Sequence, residues 1–200
     1  KNSTDGGRIF INNKGPILKK EFHSVVEHAS IAIKTHLSEL LRKIFGFDIG
    51  FLFQNEKEFQ KRINELRSDT LVPLGDYLLS VRFWTNQLIG ELWNQMKHTD
   101  WKMEDPKLIV IEANRVQVLI PEIFGTPIDL LSFKIINRCC LLVEDLIVYG
   151  FQFHRSTPII MMEIESSNRK EFGNKRFIPY PKLPGMQPTF HEFIEEFDIS

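Results

Sequence analysis

Residues 126–151, TPIDLLSFKIINRCCLLVEDLIVYGF, constrain the fold more than any other stretch of this chain. Thr126 reads as a helix N-cap, Pro127 as the first helical residue, and Asp129 as the acidic residue of the first turn. Beyond them the segment is apolar around most of its circumference. A helix of that kind either crosses a bilayer or lies inside a packed body. Asp129, Lys134, Arg138, Glu144 and Asp145 argue against the bilayer. The sequence therefore predicts a central buried helix over 126–151.

Other segments supply its neighbours. Pro16 opens a helical pattern that Gly46 stops, with Leu18, Phe22, Val25, Val26, Ala29, Ile33, Leu37, Leu40 and Ile44 on one stripe and Ile31 opposite. Asn55 and Glu58 form a capping-box pattern ahead of Phe59, Ile63 and Leu66. Pro73 opens a helix that runs to about His98. Its apolar arc holds Tyr77, Leu78, Val81, Trp84, Leu88, Ile89, Leu92 and Met96, and leaves Leu79, Phe83 and Trp93 outside. The β-branched runs 108–111 and 116–120 predict a hairpin with its turn near Asn114. Residues 8–11 suit an edge strand, residues 158–165 another strand, and residues 48–53 fit a strand or a helix start.

The expected fold is α+β and helix-dominated. About four main helices surround the buried helix 126–151, with a small antiparallel sheet and a C-terminal proline-rich arm. Residues 1–178 form a single globular domain. Residues 179–200 form the arm, where Pro179, Pro181, Pro184 and Pro188 favour extended backbone, and a short terminal helix begun by the Thr189 to Glu192 capping pattern. This arm is expected to dock on the body or on a neighbouring chain.

Charge narrows the partners. Lys and Arg total 25 against 26 Asp and Glu, so no global field draws the chain to nucleic acid or to an anionic membrane. The 17 Phe imply a large core or an apolar partner surface. Cys139 and Cys140 are helix neighbours pointing roughly 100° apart, which hinders a bond between them. Free thiols on a core helix suit an intracellular, cytoplasmic setting. No leader peptide is expected at the start.

The chemistry-bearing residues form three sets. Asp145, Glu163 and Glu165, with Lys170 nearby, could hold a divalent cation for a phosphodiesterase- or nuclease-like hydrolase, although Glu165 stands where such enzymes place lysine. The bland alternative is two glutamates on the open face of an edge strand. Arg169, Lys170, Lys175 and Arg176, interleaved with Phe172, Phe177 and Tyr180, could clamp phosphates while rings stack on bases. Ile31, Phe83 and Trp93 lie off the core faces of their helices and are the expected partner-binding residues. Lys134, Arg138 and Asp145 form a polar seam on the core helix, and His23 with Glu27 half of a metal site. No nucleotide-binding glycine loop or nucleophile motif occurs in the sequence. The balance is against an enzyme, and a protein-interaction or regulatory domain is expected, with a protein partner or self-association. Outside the cation of the hydrolase reading, no cofactor is implied.

Overall fold

Helical periodicity dominates the chain, and the structure, a computed structural model, organises it as four helical rods with small antiparallel sheets. The structure describes residues 9–11, 15–68, 72–98, 101–112, 115–154, 159–181 and 183. The first rod joins α1 (Gly15–Ile31), a π-helical segment (Ala32–Leu37) and α2 (Ser38–Phe45). It ends at Gly46, whose φ of 79° is the left-handed cap that glycine adopts without strain. The second rod is α3 (Glu56–Ser68), begun by the Glu58 N–H donating to Asn55 Oδ1 at 3.0 Å. The third joins α4 (Val72–Arg82), a π-helical segment (Phe83–Glu91) and α5 (Leu92–His98). The fourth is α6 (Ile128–His154). Among the described residues, no helix is long and apolar enough to cross a membrane.

The π-helical segment corrects the predicted stripe of the first rod. Its buried side chains run Phe22, Val26, Ala29, Ile33, Leu37, Leu41 and Phe45, while Leu40 and Ile44 are exposed. Beyond Ala29 the buried positions repeat every fourth residue. A regular helix of about 3.6 residues per turn drifts away from such a repeat. The wider i→i+5 turns of Ala32–Leu37 absorb the drift and hand the core face to Leu41 and Phe45.

The pairing of the sheets follows the hairpin signals. Strand β1 (Ile9–Ile11) is the outer neighbour of β2 (Lys107–Glu112), which pairs antiparallel with β3 (Arg115–Leu119) at Leu108↔Val118. The short strands β4 (Glu122–Ile123) and β5 (Thr126–Pro127) form a tight hairpin through Phe124 and Gly125, both at positive φ. Thr126 and Pro127 are thus strand residues, and helix α6 starts at Ile128. The Ile128 N–H is taken by Pro121 O at 3.0 Å, which settles that boundary. Strands β6 (Ile159–Glu163) and β7 (Phe177–Pro181) form the last hairpin, in register Met162↔Ile178. The expected boundary at 178/179 therefore falls inside a strand, and the terminal helix lies outside the described residues. Residues 50–53 are neither strand nor α-helix but a 3-10 turn (Gly50–Phe53), held where the Gly50 N–H donates to Asp48 Oδ1 at 2.6 Å.

Helix α6 packs against α1 and α2, and β6 lies on it. It buries Ile128, Leu131, Ile135, Leu142, Leu146 and Tyr149 along one face. The opposite face, including Leu130, Phe133 and Ile136, is open, so the burial of 126–151 is narrower than the composition predicts. Two surfaces, one internal and one external, together make the circumference apolar.

Helix α6 comes close to the first rod at Gly150. A Cβ placed there would lie 2.2 Å from the Phe45 ring, a distance real side chains do not reach. Alanine normally stabilises a helix interior relative to glycine. Here Gly150→Ala is expected to lower stability by about 1–3 kcal/mol through overpacking. A denaturation midpoint equal to or above that of the native chain would refute the close approach.

Candidate functional site

Two of the three carboxylates singled out in the sequence, Asp145 and Glu163, meet at one guanidinium. Helix α6 presents Asp145 from its buried face, and the hairpin brings Glu163 from β6 and Arg176 from the turn before β7. Arg176 Nη2 lies 2.9 Å from Asp145 Oδ1, and its Nε 2.8 Å from Glu163 Oε1. Its Nη1 reaches Glu144 Oε2 at 3.4 Å and Leu141 O at 3.5 Å. The Tyr77 hydroxyl, from α4, donates to Asp145 Oδ2 at 2.7 Å, and the Tyr77 and Tyr149 rings sit 4.9 Å apart. Arg169 supports the edge, with Nε donating to Ile164 O at 2.9 Å and Nη2 3.4 Å from Glu163 Oε1.

Burial sets the electrostatics. It pushes the Asp145 carboxyl up, against the opposing pull of Tyr77 and Arg176. It raises the Tyr77 hydroxyl well above its usual value, leaving it a fixed proton donor to Asp145. For Arg176 burial works against the charge, but Asp145 and Glu163 outweigh it and the guanidinium is held more firmly protonated. Both oxygens of Asp145 are engaged. The cluster therefore acts as a latch that ties α4, α6 and the last hairpin together.

The hydrolase set is distributed differently from a metal centre. Asp145 and Glu163 converge, but on Arg176, which stands where a cation would share them. Glu165 and Lys170 are exposed. Among the described residues no group of three His, Cys, Asp or Glu is placed to hold a metal ion. His23 Nδ1 lies 4.0 Å from Glu27 Oε2, and the His23 ring packs against Trp93 with centroids 5.2 Å apart.

The basic–aromatic set divides as well. Arg169 and Arg176 are committed to carboxylates, and the Arg176 guanidinium lies 4.8 Å from the centre of the Phe177 ring. Lys170, Lys175 and Tyr180 face solvent. On the seam of α6, Lys134 and Arg138 are half-buried while Asp145 is buried. The vicinal thiols are both free, Cys140 exposed and Cys139 half-buried, where burial pushes the Cys139 thiol up to about 12.

The apolar candidates lie at the surface. Ile31 and Phe83 are exposed, and Trp93 is half-buried. Ile31 and Trp93 line one cleft between the first and third rods. Among the described large apolar residues the most exposed, however, is Phe133, at 66%, in the segment expected to be buried, and it is flanked there by Leu130 at 46% and Ile136 at 52%. Their three-residue spacing is visible in the sequence, but so is an equally apolar stripe on the other side of the same helix. Tyr77 carries only a core signal in the sequence, because a phenol's distant carboxylate partner leaves no local trace. No protein-family model, curated protein or solved structure matches this chain.

Proposed function

We propose that this domain is a protein-interaction module that self-associates through the outer face of α6. The observation that carries the reading is the open row Leu130, Phe133 and Ile136 on a helix whose other face is seated in the core. The row is symmetric about Phe133. A two-fold axis there sets Phe133 against its own copy and Leu130 against Ile136, as an isologous contact requires. The same antiparallel pairing puts the Asp129 carboxylate of one copy beside the Asn137 amide of the other, an acceptor beside a donor. The exposed Phe124, on the β4–β5 turn just before α6, would widen the apolar contact.

Size-exclusion chromatography with light scattering at about 100 µM should give a dimer, since a weak interface populates fully only well above its Kd. Phe133→Glu should give a monomer with an unchanged thermal midpoint, because that side chain contributes little to the core. A monomeric native chain at that concentration would reject self-association through α6. The same proposal sets the domain inside the cell, a reading supported by the two free thiols of Cys139 and Cys140.

A further inference from the structure

The geometry points to a second binding site, a cationic cleft between the two π-helical segments that takes a small phosphate monoester with a hydroxyl-rich body. The cleft is about 370 Å³ and lies between the first and third rods, away from the outer face of α6. Lys34 and Thr35 come from the π-helical segment Ala32–Leu37, and Asn86 from Phe83–Glu91. Lys97 and His98 close it from the end of α5. Two rare helical distortions thus face the same space. Widened turns of this kind recur at functional sites; the one in the first rod keeps its core face in phase and at the same time sets Lys34 and Thr35 on the cleft.

The charge of the lining selects the ligand. Among the described residues the cleft is lined by two ammonium groups and a histidine, and by no carboxylate. Neither Lys34 nor Lys97 forms an ion pair among the described residues; the Lys97 amine instead sits 5.9 Å from the centre of the Trp93 ring. The adjoining cavity of about 480 Å³ shares Lys34 with it but differs in charge, since Asp48 and Glu65 there stand against Arg62 and Lys34. Lysine is a point-charge phosphate binder, and two of them with hydroxyl and amide donors suit a dianionic phosphate. The rest of the ligand is read from the remaining walls. Trp93 has His23 against it at 5.2 Å and Lys97 over it, which disfavours stacking of a nucleobase on that ring. Thr35 and Asn86 instead offer hydrogen bonds to hydroxyl groups. The volume suits a compact molecule such as a sugar phosphate.

The test is titration of the full chain in low-salt buffer with a hexose monophosphate, inorganic phosphate, adenosine monophosphate and the unphosphorylated hexose, followed by calorimetry and by tryptophan fluorescence. The expected result is saturable binding of the hexose monophosphate, tighter than inorganic phosphate or the nucleotide, with no binding of the free hexose. Lys34→Gln and Lys97→Gln should each weaken it about 10-fold or more, the loss of one charge-assisted contact. Both side chains are at the surface, so the circular dichroism melt of each variant should match the native chain. Absence of saturable binding up to about 10 mM, where even millimolar affinity would show, overturns the site. Unchanged affinity in the double variant overturns the lysine assignment, and tighter binding of the nucleotide or of phosphate alone overturns the hydroxyl-rich ligand.

Discussion

Arg176→Met lowers the unfolding free energy by about 3–5 kcal/mol, the usual cost of removing one partner from a buried ion pair. Its side chain is 14% exposed, and Asp145 and Glu163 are 9% and 13% exposed. Solvent therefore cannot replace the guanidinium, and two carboxylates are left facing each other in the interior. A loss of that size is a large share of the roughly 5–15 kcal/mol that holds a domain together. It should appear as a marked fall in the urea midpoint. The deficit should also depend on pH. Burial already raises the folded-state Asp145 above 3.8, and removing Arg176 takes away one of the groups that hold it down. With the folded pKa above the unfolded one, the folded chain keeps a proton that the unfolded chain has released. Stability is then lost as pH rises through that window and regained as pH falls toward the carboxylate range. The variant should approach the native chain under mildly acidic conditions. Combining Arg176→Met with Asp145→Asn and Glu163→Gln should recover most of the loss at neutral pH, because neutral replacements remove the stranded charges. The side-chain carbonyl introduced by Asp145→Asn would still accept from the Tyr77 hydroxyl. A single Arg176→Met variant that unfolds at the same urea concentration as the native chain would show that the latch bears no weight.

Phe59→Ala is expected to cost about 3–5 kcal/mol, the range for deleting a fully enclosed aromatic ring. Phe59 is the first inward residue of α3 and is completely buried. Its ring lies 5.8 Å from that of Phe51 and 3.9 Å beneath the Arg82 guanidinium. Arg82 in turn donates to Gln54 O at 3.1 Å and pairs with Glu56 at the same distance. Truncation therefore opens a cavity and removes the surface on which Arg82 rests, at the junction of the 3-10 turn, α3 and α4. Phe59→Leu should recover about half of the loss, since it restores most of the buried apolar area without the ring. If Phe59→Ala melts within about 0.5 kcal/mol of the native chain, as ordinary surface changes do, α3 is not docked as the structure shows.

Much of the fold is legible one element at a time. Leu18 to Leu37 announce the first rod, Asn55 and Glu58 cap the second, and the runs flanking Asn114 form the expected hairpin. Each signal depends on neighbours within a few residues, whose spacing is fixed by backbone geometry alone. The interrupted phase of the first rod is not legible. Leu40 and Leu41 are adjacent leucines, and only the π-helical segment decides which one enters the core. The candidate site is legible as a set of residues but not as a set of bonds. Asp145, Glu163 and Arg176 each stand out, yet their local patterns point two of them to a metal and the third to nucleic acid. Their joining depends on the hairpin folding back onto α6.

The sequence by itself determined the helical rods, the hairpins and the near balance of charge, because periodicity and composition act locally or as a sum. Only the tertiary structure decided which apolar stripe of α6 faces inward, which guanidinium answers Asp145, and that two distorted helical segments enclose one cationic cleft. Those outcomes depend on distances between residues far apart in the chain, and such distances are set by how whole elements pack rather than by any residue's immediate neighbours.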